Sequence, residues 1–342
     1  MKLHKLLLAA IAAFSITAQA AKPQLDVELS VNTDDKGDVF ATLKFTNNGK
    51  GPKKLLKWYA QYGEGHLFDV QRDGQYVRYI GPIHKRGIPG KKDFHKLAPG
   101  ASLTQTFEMS SLYDMSEMGN YQITYDVGSM HLHGINGSDI AELKSSSSFV
   151  YLKGNSKKPG NGGGGSEPPA DGQVSYANCS NSQQSSISTA LNAAQNMASD
   201  SVSYLYSHNE NTMGPRYTTW FGTPTASTVA TARDHFDKIS DAADRKPIEF
   251  NCACTSSSFA YVYPTQPYKI WLCNAFWSAN VTGTDSRGGT IIHELSHFDV
   301  VAGTDDLAYG HSAAKRLARK ANRALNNADN HEYFAENTPN LN

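Results

Sequence analysis

Residues 293–310 read His293-Glu294-Leu295-Ser296-His297-Phe298-Asp299-Val300-Val301-Ala302-Gly303-Thr304-Asp305-Asp306-Leu307-Ala308-Tyr309-Gly310, and this stretch decides how the rest of the chain is read. At 3.6 residues per turn, His293 and His297 fall one turn apart on one helix face, where two neutral imidazoles can reach a single Zn²⁺. Glu294 lies about 100° round the helix, close enough to take a proton from water that the cation acidifies without occupying a coordination position. With 12 His in 342 residues, roughly 0.013 such HExxH strings are expected by accident. A catalytic zinc needs a third protein ligand and an open position. Val300 and Gly303 stand where the metzincin pattern requires a glycine and a third histidine, which excludes that class. The next glutamate, Glu332, lies thirty-eight residues beyond Glu294 and serves poorly as a thermolysin-type ligand. The nearest acids are Asp299, Asp305 and Asp306, and Gly303 offers a helix stop from which the chain can turn back to the metal.

Working outward, residues 182–207 carry Ile187, Leu191, Ala194 and Met197 at helical spacing, and 226–243 carry Val229, Ala232, Phe236 and Ile239 likewise. Short β-branched and aromatic runs at 247–251, 258–263 and 268–273 predict strands, and 289–301 and 311–327 predict two further helices. The expected C-terminal domain, 174–342, is therefore α+β. Residues 22–153 alternate short β-rich runs (Leu25 to Val31, Val39 to Phe45, Leu67 to Val70, Tyr76 to Ile80, Leu103 to Phe107, Tyr121 to Tyr125, Ser148 to Leu152) with turns such as Asp73-Gly74, predicting an all-β sandwich or barrel. Between them, the Gly, Pro and Ser of 154–173 cannot bury a core and read as a linker open to processing.

Residues 1–21 combine Lys2 and Lys5, an apolar run from Leu6 to Phe14 and Ala18-Gln19-Ala20, the pattern of a Sec-type secretory signal peptide. The run is shorter than the roughly 20 residues that cross a bilayer. Secretion predicts oxidised cysteines. Cys252 and Cys254 are too close to pair without strain, which leaves Cys179 joined to one of them and Cys273 to the other. A four-thiolate zinc site does not suit the spacing. His131 and His133 form a two-histidine pair without a convincing third ligand. Basic and acidic residues balance at 32 each, which removes any whole-chain case for nucleic acid. By segment the charge is +2 for 1–21, +2 for 22–170 and −4 for 171–342.

The run HELSHFDVVAGTDDLAYG resembles the aspzincin metallopeptidases, deuterolysin and the peptidyl-Lys metalloendopeptidases among them, whose signature is HExxH followed by GTxDxxYG. The resemblance covers about 174–342, in the arrangement of the family's secreted bacterial proenzymes. It implies a zincin-like domain holding one Zn²⁺ on His293, His297 and Asp306, with Asp305 at the variable position, Glu294 as the catalytic base and Tyr309 as hydrogen-bond donor to the oxyanion. Asn327-Ala328-Asp329-Asn330-His331-Glu332 resembles the family segment whose aspartate lines the S1′ pocket, making Asp329 a substrate-binding residue that favours lysine at P1′; the plainer reading of Asp329 is a cap on helix 311–327. The family layout also favours the pairs Cys179–Cys252 and Cys254–Cys273, and the strand near 268–273 as a candidate edge for extended substrate. It further implies that the β-rich segment is a propeptide acting as an intramolecular inhibitor, with Lys153, Lys157 or Lys158 as a plug or self-processing point.

The expected function is a secreted zinc endopeptidase, monomeric, acting on proteins or peptides. The competing classes are a secreted zinc-containing binding or adhesion protein and a zinc amidase acting on cell-wall peptides. An intact Glu294 argues against the first, since a structural site needs no general base.

Overall fold

The computed structural model describes residues 24–63, 65–127, 143–154 and 172–342. The expected signal segment, nearly all of the expected linker, and His131 and His133 lie outside them. Among the described residues two large hydrophobic cores form, one from side chains between Leu25 and Leu152 and one from side chains between Ile187 and Ala335, with a small third cluster of Ala308, Ala313 and Leu317.

In the N-terminal half, strands Leu25–Thr33, Val39–Asn47 and Ser102–Glu108 make one antiparallel sheet, and Ser148–Leu152, Gly119–Tyr125, Phe68–Arg72 and Gln75–Tyr76 a second. Alternation drives both: Val39, Ala41, Leu43 and Phe45 are fully buried while the residues between them face outward. Asp73-Gly74 closes a tight hairpin with both residues at positive φ, 49° and 82°, as the aspartate-glycine pair favours. The strand expected at 76–80 shrinks to its first residue, because beyond it the chain turns away to place Tyr79 against Tyr113. Strands Lys53–Leu56, Ile83–Lys85 and Phe94–Leu97 have runs too short to stand out in the sequence.

The C-terminal half is built on a five-stranded mixed sheet in the order Val174–Ala177, Ile248–Asn251, Lys269–Leu272, Ala260–Val262, Ile83–Lys85. The first three run parallel to one another, and Ala260–Val262 is antiparallel to both of its neighbours. The expected edge strand near 268–273 is therefore interior. The edge is Ala260–Val262, and its open side is taken by Ile83–Lys85 from the other half of the chain, with His84 opposite Tyr261.

Helices Asn181–Ser207 and Ala226–Arg245 start on capping boxes at Ser180 and Thr225. Disulfides join Cys179 to Cys252 and Cys254 to Cys273, tying the ends of neighbouring strands together. Helix Arg287–His297 stops four residues before the expected 301, because Phe298 leaves helical geometry and Gly303, at φ 58°, turns the chain back. The helix expected over 311–327 divides into His311–Leu317 and Ala321–Leu325, and a further helix, Ala328–Glu336, follows. Arg287–His297 is buried from Gly288 onward, and a Cβ at Gly289 would lie 2.1 Å from Glu336 Oε1, so the glycine leaves the room in which the Glu336 carboxylate accepts the Ser286 N–H and hydroxyl. Among the described residues no helix is long and apolar enough to cross a membrane.

Candidate active site

The end of helix Arg287–His297 and the turn after it bring His293, His297 and Asp306 together. Asp306 Oδ1 lies 3.1 Å from His293 Nε2 and 3.5 Å from His297 Nε2, and all three atoms are buried without a hydrogen-bond partner. Two imidazole nitrogens and one carboxylate oxygen, desolvated and converging within 4.8 Å, form a donor set that suits zinc and would be costly to bury for any other reason. Each histidine is oriented through its other nitrogen, as metal-ligating imidazoles usually are. His297 Nδ1 lies 2.7 Å from the Thr304 carbonyl, and His293 Nδ1 lies 3.1 Å from Asp329 Oδ1 and 3.2 Å from Glu332 Oε2.

The aspartate loop is held from below by Asn327, whose Oδ1 accepts the Leu307 and Ala308 N–H groups at 2.8 and 3.0 Å. Asp305 points elsewhere, towards Asn326 and His66. Glu294 is fully buried beside the cluster with neither carboxylate oxygen partnered, and burial pushes its carboxyl up to about 8. A divalent cation at the cluster would draw that value down again. Burial also pushes Asp306 up, but His293 and His297 outweigh it and hold the carboxyl below its usual range. The Tyr309 hydroxyl sits 3.1 Å from Asp306 Oδ2 and 3.2 Å from the His84 carbonyl oxygen. A cavity of about 630 Å³ lined by Trp58, His66, Tyr79, His297, Asp306 and Tyr309 gives water room to reach the cluster.

Asp329 is not a cap on the preceding helix. It lies in the first turn of Ala328–Glu336, where Oδ2 accepts the Gly310 N–H at 2.6 Å and the Tyr333 hydroxyl at 3.1 Å. Asp329, Glu332 and Asp285 surround a pocket, and a lysine from the N-terminal half fills it. Lys85 is fully buried, its Nζ 2.6 Å from Glu332 Oε2, 3.4 Å from Asp285 Oδ1 and 4.0 Å from Asp329 Oδ1. Burial disfavours its charge, yet the three carboxylates together raise the ammonium well above its ordinary value. Burial, with the Asp329 carboxylate beside it, holds the Glu332 carboxyl above its ordinary value, while the Lys85 ammonium donating to Oε2 at 2.6 Å and the His293 imidazole pull it back down. The sequence reading offered Lys153, Lys157 or Lys158 for such a role; Lys153 follows the strand Ser148–Leu152, and the other two lie outside the described residues. It missed Lys85, which carries no local signal, and Glu332, Asp285 and Asn327. Glu332 was readable in principle, since residues 329, 332 and 333 share one face once 328–336 is recognised as helical.

A histidine pair one turn apart, a buried glutamate between them and an aspartate returned by a glycine turn, set beside a mixed sheet with flanking helices, define a zincin-like metallopeptidase. The chain belongs to the aspzincin family. The model of that family, described as lysine-specific metallo-endopeptidase, matches residues 204–336. The chain is 46% identical to an extracellular protease of Aeromonas hydrophila over 98% of both chains, and 35% identical to a peptidyl-Lys metalloendopeptidase of Armillaria mellea over 98% of this chain and 97% of that one. A solved zinc peptidase from Grifola frondosa is 45% identical and covers 48% of this chain and 100% of its own, with a TM-score of 0.45. The protein is a zinc metalloendopeptidase.

Proposed function

We propose that the chain is a secreted endopeptidase made as a latent precursor, that it cuts peptide bonds on the amino side of lysine, and that its N-terminal β-rich half is a propeptide blocking the cleft in cis. The observation that carries this reading is the placement of Ile83–Lys85. The segment adds a strand to the edge Ala260–Val262, puts the Lys85 ammonium among three carboxylates, and sets the His84 carbonyl on the Tyr309 hydroxyl beside the cluster of His293, His297 and Asp306. That is how an extended substrate with lysine at P1′ would lie. Tethering makes the blocking segment a permanent neighbour of the cleft, at high effective concentration.

In the proposed mechanism His293, His297 and Asp306 would hold a zinc ion, and the chemistry it would supply when bound is that of a Lewis acid, acidifying water and polarising a carbonyl. Glu294 takes the proton from the attacking water and returns it to the leaving amine. Tyr309 donates its hydroxyl hydrogen to the oxygen of the scissile carbonyl as negative charge develops there. Asp329 and Glu332 bind the lysine ammonium and align the peptide, while the Thr304 carbonyl and the pocket acids fix the imidazole tautomers. Release of the mature enzyme follows cleavage between about 150 and 175. The C-terminal part, with net charge −4, then meets lysine-bearing substrates as a mildly acidic monomer. A buried, unpartnered Glu294 supports an enzyme over a binding protein.

The test is to let the precursor mature, sequence the new N-terminus, and digest an unstructured protein with cuts mapped by mass spectrometry. Cuts clustered before lysine, abolished by a chelator and by Glu294→Ala, are expected. Broad specificity contradicts the lysine assignment, and a mature N-terminus outside 150–175 contradicts the processing site.

A further inference from the structure

We propose that Glu332, with Asp329 beside it, couples the lysine pocket to the metal site, so that an ammonium in the pocket weakens the donation of His293 to zinc and makes the ion a stronger acid. This rests on the zinc and lysine assignments above, and it concerns a link between them that neither requires.

Glu332 Oε2 faces two partners at once: Lys85 Nζ at 2.6 Å and His293 Nδ1 at 3.2 Å. Asp329 Oδ1 faces the same two at 4.0 and 3.1 Å. All four side chains are fully buried, so no solvent screens one contact from the other. A carboxylate that accepts the N–H of a metal-bound imidazole makes that imidazole more basic and holds the ion more tightly. An ammonium sharing the same carboxylate oxygen draws electron density the other way. The His293 N–H is then pulled less, Nε2 donates less, and the zinc is held less firmly but polarises its remaining partners more.

Two consequences follow. A lysine side chain entering the pocket strengthens the machinery that cuts the bond beside it, so part of the lysine preference is expressed in the chemical step and not only in binding. In the precursor Lys85 keeps the same circuit engaged, so the latent chain holds zinc more loosely than a chain with an empty pocket. Asp285 provides the internal comparison. It lies 3.4 Å from the same ammonium, but its Oδ1 accepts the Tyr333 hydroxyl at 2.8 Å instead of contacting His293.

The experiment is a double-substitution cycle on the full chain, reading the zinc dissociation constant by competition with a chromophoric chelator. Lys85→Met is expected to tighten zinc by about tenfold, the lower end of the ~10–100-fold range for outer partners of metal ligands. In a Glu332→Gln background the same change should move the constant less than about threefold, and in Asp285→Asn the full shift should persist. Glu332→Gln and Asp285→Asn each remove a carboxylate that holds the docked ammonium, but only Glu332 also faces His293 Nδ1, so the contrast between these two backgrounds reports that contact apart from the loosening of the segment. An equal shift with and without Glu332, or no shift in any background, overturns the coupling. Should Glu332→Gln fail to fold, the cobalt-loaded chain gives a second readout. Lys85→Met should displace its visible absorption bands while Asp285→Asn leaves them in place, and unchanged bands in Lys85→Met overturn the proposal. Failure of the underlying reading looks different, as absence of stoichiometric zinc binding by the unsubstituted chain.

Discussion

Replacing Lys85 by methionine keeps most of the side-chain volume and removes the ammonium, leaving Glu332 and Asp329 buried without their counter-ion. Breaking a buried pair by removing one partner costs about 3–5 kcal/mol. At about 1.4 kcal/mol per factor of ten, the equilibrium between docked and undocked N-terminal segment should shift by roughly two to three and a half orders of magnitude. The other ion pairs between the two halves, among the described residues, are weaker. Arg78 pairs with Asp299 and His66 with Asp305, with side chains between 27% and 54% exposed, and such pairs contribute about 0–1 kcal/mol each. The assay is the initial rate of the uncleaved precursor on a fluorogenic lysine peptide, paired with hydrogen exchange at the amides of 260–262 and 83–85. Lys85→Met should raise the rate about a hundredfold or more and speed exchange at both strands, whereas Arg78→Ala should change either less than about fivefold. A Lys85→Met precursor as silent and as protected as the original would refute the assignment of this lysine as the plug.

Asn327→Ala leaves the buried N–H of Ala308 without an acceptor, at about 1–3 kcal/mol, and frees the half-buried N–H of Leu307 as well; it should lower the melting temperature and the zinc content after dialysis, and full zinc retention would show that the loop holds itself. Gly289→Ala should destabilise by about 1–3 kcal/mol through the 2.1 Å approach of its new Cβ to Glu336, despite alanine's better helix propensity; a gain in denaturant midpoint would contradict the packing. His331 is buried against His235, and burial, then the neighbouring imidazole, lowers its value to about 3. Because the folded value lies below the unfolded one of about 6.5, stability is complete above pH 6.5 and is lost as the pH falls from there towards 3, at about 1.4 kcal/mol per unit for one proton. Urea unfolding across that window should be steeper in pH for the original chain than for His331→Gln, and equal slopes would assign the acid sensitivity elsewhere.

The histidine pair and Glu294 were legible because helical periodicity alone places them, and Gly303 announced a chain reversal beyond them, but the choice of Asp306 over Asp299 and Asp305 came only from the family resemblance. The long helices were legible for the same reason, their apolar faces repeating over five or more turns. Below that length periodicity carries little: Pro215–Phe221 is seven residues and Ile83–Lys85 three. The helix break near 318–320 involves no proline or glycine, and the stop at His297 depends on a hydrogen bond from the Thr304 N–H to the Ser296 carbonyl that no local pattern announces. The pocket was half legible. Asp329 stood out only by resemblance, while Lys85 reaches Glu332 across 247 residues of chain. The edge strand was misplaced because runs 258–263 and 268–273 are equally β-prone, and which of them lies outermost is decided by tertiary pairing.

The most direct measurement of the central assignment is zinc content and peptidase activity, read side by side on four matured proteins. The unsubstituted enzyme should carry one zinc and cut. Glu294→Ala should carry one zinc and fall in rate by about a hundredfold or more, the contribution of a positioned general base. His297→Ala and Asp306→Ala should lose both zinc and activity. A Glu294→Ala enzyme that still cuts at the original rate, or an Asp306→Ala enzyme that keeps its zinc, would contradict the account.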